Sequence, residues 1–232
     1  MYKKYSKKCY FFRIFVLCNT YKMTYSNLYK DTLLNNVIPF WEKNSIDHND
    51  GGYFTCLDSK GNVFDTDKFL WLQGRQAWTF SMLYNKVEKN ENWLKIAKNG
   101  IDFLRNHGMD TDGNFYFSTA ANGMPLIKAY NIFSDCFAAM AFSQYAMASG
   151  DEEIKKLAIK TYYNILKRKD NPKRHYEKST DVRPLKGFSL PMILSNLVLE
   201  LEDILPPEEV EKTIDFSVKE VMEVFLDEKS GL

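Results

Sequence analysis

An excess of charge of either sign is missing from this chain. Its 31 Lys and Arg stand against 30 Asp and Glu in 232 residues, a net of +1. That leaves no basic field of the kind nucleic acid or an anionic membrane surface would need. Cysteine is scarce too. Cys9, Cys18, Cys56 and Cys136 fit neither a metal-ligand spacing nor a disulfide framework, so a reducing, cytoplasmic compartment is the default. No cluster of His, Cys, Asp and Glu has ligand spacing, and no metal is expected. A phosphate loop is also lacking: GGYF and KGF are short and carry no Gly-Lys-Ser/Thr. Long apolar runs are absent. The run Cys9 to Cys18 follows Lys3, Lys4, Lys7 and Lys8 in the manner of a signal peptide. Arg13 interrupts it, no small-residue cleavage site follows, and it is far too short to span a bilayer. Residues 1–22 are therefore expected to be an extension ahead of the domain, disordered or a lone helix, with a targeting segment as the alternative.

What the chain has is aromatic residues, at 15 %. They fit a large core, the safer reading, or a pocket that stacks on a sugar-like ligand. They concentrate in KFLWLQGRQAWTFSMLY, Lys68 to Tyr84. At helical spacing Trp71, Arg75, Trp78 and Met82 share a face, and apolar residues cover much of the rest. A helix apolar nearly all round is buried, so Arg75 is expected to meet a carboxylate, carbonyls or a bound anion.

Helical periodicity recurs along the chain. Amphipathic helices are expected over Tyr25–Trp41, Asn92–His107, from the Asp151 cap to about Lys169, and over Glu208–Leu226 behind Pro206 and Pro207. Between them stand three helices that are largely apolar: Lys68–Tyr84, Ile132–Ser149 and the stretch from Gly187 to Leu205. Short hairpins are expected in the loops, one with strands Tyr53–Cys56 and Asn62–Phe64 around a turn at Asp58–Gly61, a second across Met109–Ser118 and Ala121–Lys128. Asp110 and Asp112 hint at calcium, but Gly113 comes too early and no closing Glu follows, so a turn is expected there.

Each apolar helix carries one polar insertion. These are Arg75, Asp135 and Asn196, separated by 60 and 61 residues. A period of that length signals stacked units, each pairing a half-wet outer helix with a dry inner one. The predicted fold is all-α, a toroid of helix hairpins: an (α/α)6 barrel, of which this chain supplies about three and a half pairs. Residues 23–232 then read as the N-terminal part of such a domain.

Four tracts carry a family likeness. GGYFTCLD (Gly51 to Asp58), FDTDKFLWLQGRQAWTFSMLYN (Phe64 to Asn85), IFSDCFAAMAF (Ile132 to Phe142) and RPLKGFSLPMILSNL (Arg183 to Leu197) together resemble the N-acylglucosamine 2-epimerase, or renin-binding protein-like, family. The resemblance covers about Tyr25 to Leu232 and implies the same barrel. It implies an isomerase that removes the proton next to a sugar's carbonyl carbon and returns it on the other face, most simply between N-acetylglucosamine and N-acetylmannosamine. Two histidines serve as acid and base in the family. They lie in the C-terminal half, beyond the end of this chain. The histidines present, His48, His107 and His175, sit in loops or at a helix end. Arg75 matches the pocket arginine of the family and would stabilise the developing enolate oxygen. Trp71 and Trp78 would line an aromatic concavity beside it, and Asp135 and Asn196 would hold Arg75 or sugar hydroxyls. No cofactor is required, although ATP influences some members.

Other readings stay open. A related barrel isomerase would act on mannose or a disaccharide. A non-catalytic interaction protein would use its exposed inner face, for instance as a homodimer that buries the inner helices. A barrel lyase or hydrolase needs paired carboxylates, and Asp135 alone is not a pair.

Overall fold

The computed structural model describes residues 22–170, 182, 186–227 and 229–230. They divide into two compact units between Asn44 and Ser45. Most of the expected extension, and His175, Cys9 and Cys18, lie outside the described residues.

The first unit is one continuous helical run, longer at both ends than the periodicity predicts. It comprises α1 (Lys22–Thr32), a π-helical turn (Leu33–Val37) and α2 (Ile38–Asn44). Tyr25 and Tyr29 stack on its surface with ring centroids 6.4 Å apart. The π turn accommodates one extra residue in the helix without breaking it.

The second unit alternates inner and outer helices. Two short strands open it, β1 (Cys56–Leu57) and β2 (Val63–Asp65), joined as the expected hairpin. Asp58 closes the turn by accepting from the Lys60 and Asn62 N–H groups, each at 2.8 Å. β3 (Lys68–Phe69) then leads directly into the inner helix α3 (Leu70–Lys86). The outer helix α4 (Glu91–His107) is capped by the Asn90 side chain. β4 (Ser118–Thr119) and β5 (Pro125–Ile127) complete a three-stranded antiparallel sheet in the order β3-β4-β5. Inner α5 (Phe133–Ser149) ends at Gly150, whose φ of 74° puts it in the left-handed region that glycine favours. Asp151 caps outer α6 (Glu152–Arg168) by accepting from Glu153 and Ile154 N–H. Inner α7 (Ser189–Glu200), outer α8 (Pro207–Lys219) and a final π-helical stretch (Glu220–Phe225) follow.

The inner helices are neighbours in chain order, α3 beside α5 beside α7. Outer α4 packs on α3 and α5, α6 on α5, and α8 on α7. This is the helix-hairpin arrangement of the (α/α) barrel. Its core joins Ile132, Cys136, Ala139 and Met140 of the α5 region to Tyr162 and Ile165 of α6 and to Ile193, Leu194, Leu197 and Val198 of α7. The Tyr162 hydroxyl meets Thr213 Oγ1 at 2.7 Å and ties α6 to α8.

One expectation is corrected here. Of the three inner helices, only α5 is dry on every side, with 12 of its 17 residues buried. It has helices on all flanks. By contrast α3 exposes Arg75, and α7 exposes Met192, Asn196 and Leu199.

Candidate sugar site

The strands lie in the segments that precede α3 and α5, so they sit towards the N-terminal ends of those helices. There the side chains of Trp71, Phe117, Asn131, Phe133, Ser134 and Phe137 enclose an open depression of about 240 Å³. Local sequence explains each wall. Leu70 N–H donates to the Phe117 carbonyl at 3.0 Å, which brings the β4 segment over the first turn of α3. Phe117 lies against Phe69 and Tyr130, at centroid distances of 5.6 and 4.9 Å. Asn131 Oδ1 accepts from Phe133 N–H and starts α5. Trp71 and Phe137 face each other from α3 and α5, 6.2 Å apart.

Gly74 makes that approach possible. A Cβ there would stand 2.7 and 2.8 Å from the Phe137 carbonyl carbon and oxygen. Gln73, fully buried beside it, exchanges two hydrogen bonds with the Tyr53 backbone, at 2.8 and 2.7 Å.

Arg75 stands at the edge of the depression. Its guanidinium carbon is 5.2 Å from the Phe137 ring centre and 6.0 Å from that of Trp71. The side chain is exposed. A buried ion pair is thus not what Arg75 makes; its guanidinium faces the rings of Trp71 and Phe137. Among the described residues Arg75 makes no ion pair, and it rests on aromatic faces, which attract a cation through their quadrupole. An exposed guanidinium needs no counter-charge, because water solvates it.

The buried cation of this tract is Lys68, which periodicity did not single out. Its side chain is 0 % exposed, and its ammonium lies 2.8 Å from Asp47 Oδ2. It also donates to the Gly51 and Ala121 carbonyls at 2.5 and 2.7 Å. Burial opposes ionisation of Asp47, but Lys68 and the Asp50 and Asn49 N–H groups together hold its carboxyl below the usual range.

The other expected site residues are dispersed. Trp78 is half-buried one turn below Arg75 and donates to Glu200 Oε2 at 2.7 Å. Gln144 donates to the same oxygen at 3.1 Å, so this carboxylate ties together α3, α5 and the end of α7. Asn196 is exposed on α7, its amide 3.8 Å from Met140 Sδ.

Asp135 is corrected more sharply. It is 0 % exposed, so it cannot touch a sugar. Its Oδ1 accepts from Phe115 N–H at 3.1 Å and from Arg168 of α6 at 2.5 Å, while Oδ2 is buried without a partner. Burial pushes its carboxyl up to about 6, against the opposing pull of Arg168 and the Phe115 N–H.

His48 and His107 are exposed. His107 lies 5.2 Å from the Phe103 ring, away from the depression's lining. The turn at Asp110 is present: its Oδ1 accepts from Asp112 and Asn114 N–H. Among the described residues no helix is long and apolar enough to cross a membrane.

An aromatic depression with an arginine near its edge, at the N-terminal ends of paired inner helices, is common ground for several activities, and sequence comparison supplies the family. The sequence profile of the N-acylglucosamine 2-epimerases matches residues 52–232. The chain belongs to the N-acylglucosamine 2-epimerase family. It is 32 % identical over 174 residues to an N-acylglucosamine 2-epimerase of Rattus norvegicus, covering 72 % of this chain and 42 % of the relative. A cellobiose 2-epimerase of Dictyoglomus turgidum is 32 % identical over 133 residues, covering 56 % of this chain and 33 % of that one. The chain thus spans about two-fifths or less of the curated relatives named. In three dimensions it is similar to a sugar epimerase from a ruminal bacterium, with a TM-score of 0.76 at 23 % identity over 87 % of this chain and 55 % of the other. At that identity the likeness speaks for the fold. The matched region of the 2-epimerase family includes both sheets and all three inner helices.

Proposed function

We propose that this chain supplies the substrate-holding wall of a sugar 2-epimerase acting on N-acylated amino sugars. The observation that carries the reading is the Arg75 guanidinium, exposed above the Trp71 and Phe137 rings beside an open aromatic depression. Aromatic faces suit the C–H face of a pyranose, and the few polar groups around them fix its orientation. In a 2-epimerisation the C2 proton passes to a base and its electron pair moves onto the carbonyl oxygen. Arg75 is suited to stabilise that oxygen as charge develops. The lining residues include no carboxylate or imidazole, so the acid/base pair belongs to residues other than these. The N-acylated substrate rests on the wider match to the N-acylglucosamine 2-epimerase than to the cellobiose enzyme, 72 % against 56 % of the chain.

Calorimetric titration with a sugar panel tests this. N-acetylmannosamine and N-acetylglucosamine are expected to bind more tightly than mannose or cellobiose. Arg75→Ala is expected to weaken that binding by roughly tenfold or more, as loss of a charge-assisted contact should. Its unfolding free energy should stay within about 0.5 kcal/mol of the parent, because the side chain is exposed. Equal affinity for all four sugars would overturn the substrate assignment. Undiminished binding by Arg75→Ala would remove Arg75 from the site.

A further inference from the structure

We propose that Lys68 is the positioning residue of the Trp71–Arg75 site. Its buried ammonium clamps two loops, at Asp47–Gly51 and at Ala121, onto the strand that leads into α3. The inference deepens the sugar-site reading and rests on it for the meaning of Trp71 and Arg75.

An ammonium has three N–H donors, and all three are used here, on Asp47 Oδ2, the Gly51 carbonyl and the Ala121 carbonyl. The acceptors come from two separate loops. Asp47 and Gly51 belong to the turn that precedes Tyr53, and Ala121 belongs to the turn between β4 and β5. The Phe103 ring lies 4.6 Å from the nitrogen and that of Phe54 5.9 Å, so aromatic faces flank it as well. Asp47 is itself held, accepting from Asn49 and Asp50 N–H at 3.0 and 3.1 Å. The clamp therefore has little freedom to swing.

Backbone pairing alone is a weak anchor at this point. β3 is two residues long, paired as Lys68 with Thr119 and Phe69 with Ser118. Trp71 is three residues beyond Lys68, so any slack in the clamp passes directly into the first turn of α3. An apolar side chain of similar volume would fill the same space and could stabilise the fold as well as the ion pair does. What the charged group adds is direction: three acceptors at fixed angles around one point.

The test uses protein labelled with 5-fluorotryptophan, in which Trp41, Trp71, Trp78 and Trp93 give four fluorine signals. Two variants are compared with the parent, Lys68→Met and the neutral pair Asp47→Asn/Lys68→Met. The second leaves no unpaired buried charge and guards against simple unfolding. The Trp71 signal is expected to shift or broaden in both, while that of Trp93 stays in place. N-acetylmannosamine affinity should fall roughly tenfold or more in the neutral pair, since small misplacements weaken oriented contacts steeply. Adding Arg75→Ala to that pair should cost clearly less affinity than Arg75→Ala costs in the parent, the sign of two residues acting through one site. An unmoved Trp71 signal in the neutral pair would overturn the inference. So would a joint collapse of all four signals in both variants, which would make Lys68 a general structural residue. If the Trp71 signal moves alone but the parent binds no sugar, the positioning role stands and the sugar reading falls.

Discussion

Gly74→Ala is expected to loosen the fold and weaken the site together. The added Cβ would lie 2.7 Å from the Phe137 carbonyl carbon, 2.8 Å from its oxygen and 3.0 Å from Ala138 N. All three are backbone atoms, so no side chain can rotate away, and α3 must move off α5. Overpacking of this kind costs about 1–3 kcal/mol. Alanine gains up to about 1 kcal/mol of helix propensity over glycine, which offsets only part of that. The net expectation is a lowered urea midpoint. Because the displaced backbone belongs to Phe137, the ring should also move away from Arg75 and Trp71, and sugar affinity should fall with stability. An unchanged or raised midpoint would mean that propensity outweighs the close crossing.

Arg168→Met is expected to have the largest effect on stability, about 3–5 kcal/mol near neutral pH, because it strands a fully buried carboxylate. The loss should depend on pH with a definite sign. Burial already raises Asp135 in the folded chain to about 6, from an ordinary value of 3.8. Between those values the folded state binds more protons than the unfolded one. The contribution of this group to stability is therefore greatest below about pH 4 and falls as pH rises through about 6. Without Arg168 nothing opposes desolvation so directly, and the carboxyl titrates higher still. Denaturation at pH 5 and pH 7.5 should then show a smaller loss at the lower pH. Asp135→Asn/Arg168→Met, which removes both charges, should recover much of it. Equal losses at the two pH values would contradict the assignment of Asp135 as a buried, proton-sensitive group.

Much of this fold is legible in the sequence because its signals are local. The Asp151 cap, the Gly150 stop and the apolar run of α5 fall where they were expected, since each depends on residues within a few positions. The start of α3 does not. Lys68 and Phe69 have helical periodicity but form a strand, because their partners Thr119 and Ser118 are some fifty residues away. The same distance hides the Lys68 clamp, whose acceptors at Asp47, Gly51 and Ala121 share no spacing with it.

The repeat misleads in a different way. Arg75, Asp135 and Asn196 recur at a near-constant period, but they are the sixth, third and eighth residues of α3, α5 and α7. At about 100° per residue those offsets turn them in different directions. Arg75 lies over the Phe137 ring, Asp135 turns towards α6, and Asn196 lies near Met140. A period fixes where a residue falls in the chain; helix phase decides what it faces. The aromatic half of the site was partly visible. Trp71 lies in the second of the four family-like tracts and Phe137 in the third, but only the crossing at Gly74 brings them together.

The proposed site requires direct sugar contact at Trp71. Saturation-transfer difference NMR with N-acetylmannosamine, on the parent chain and on Trp71→Ala, measures that contact proton by proton. The predicted result is saturation concentrated on the protons of one pyranose face in the parent, and most of it lost in Trp71→Ala. No transfer in the parent, or equal transfer in both proteins, would contradict it.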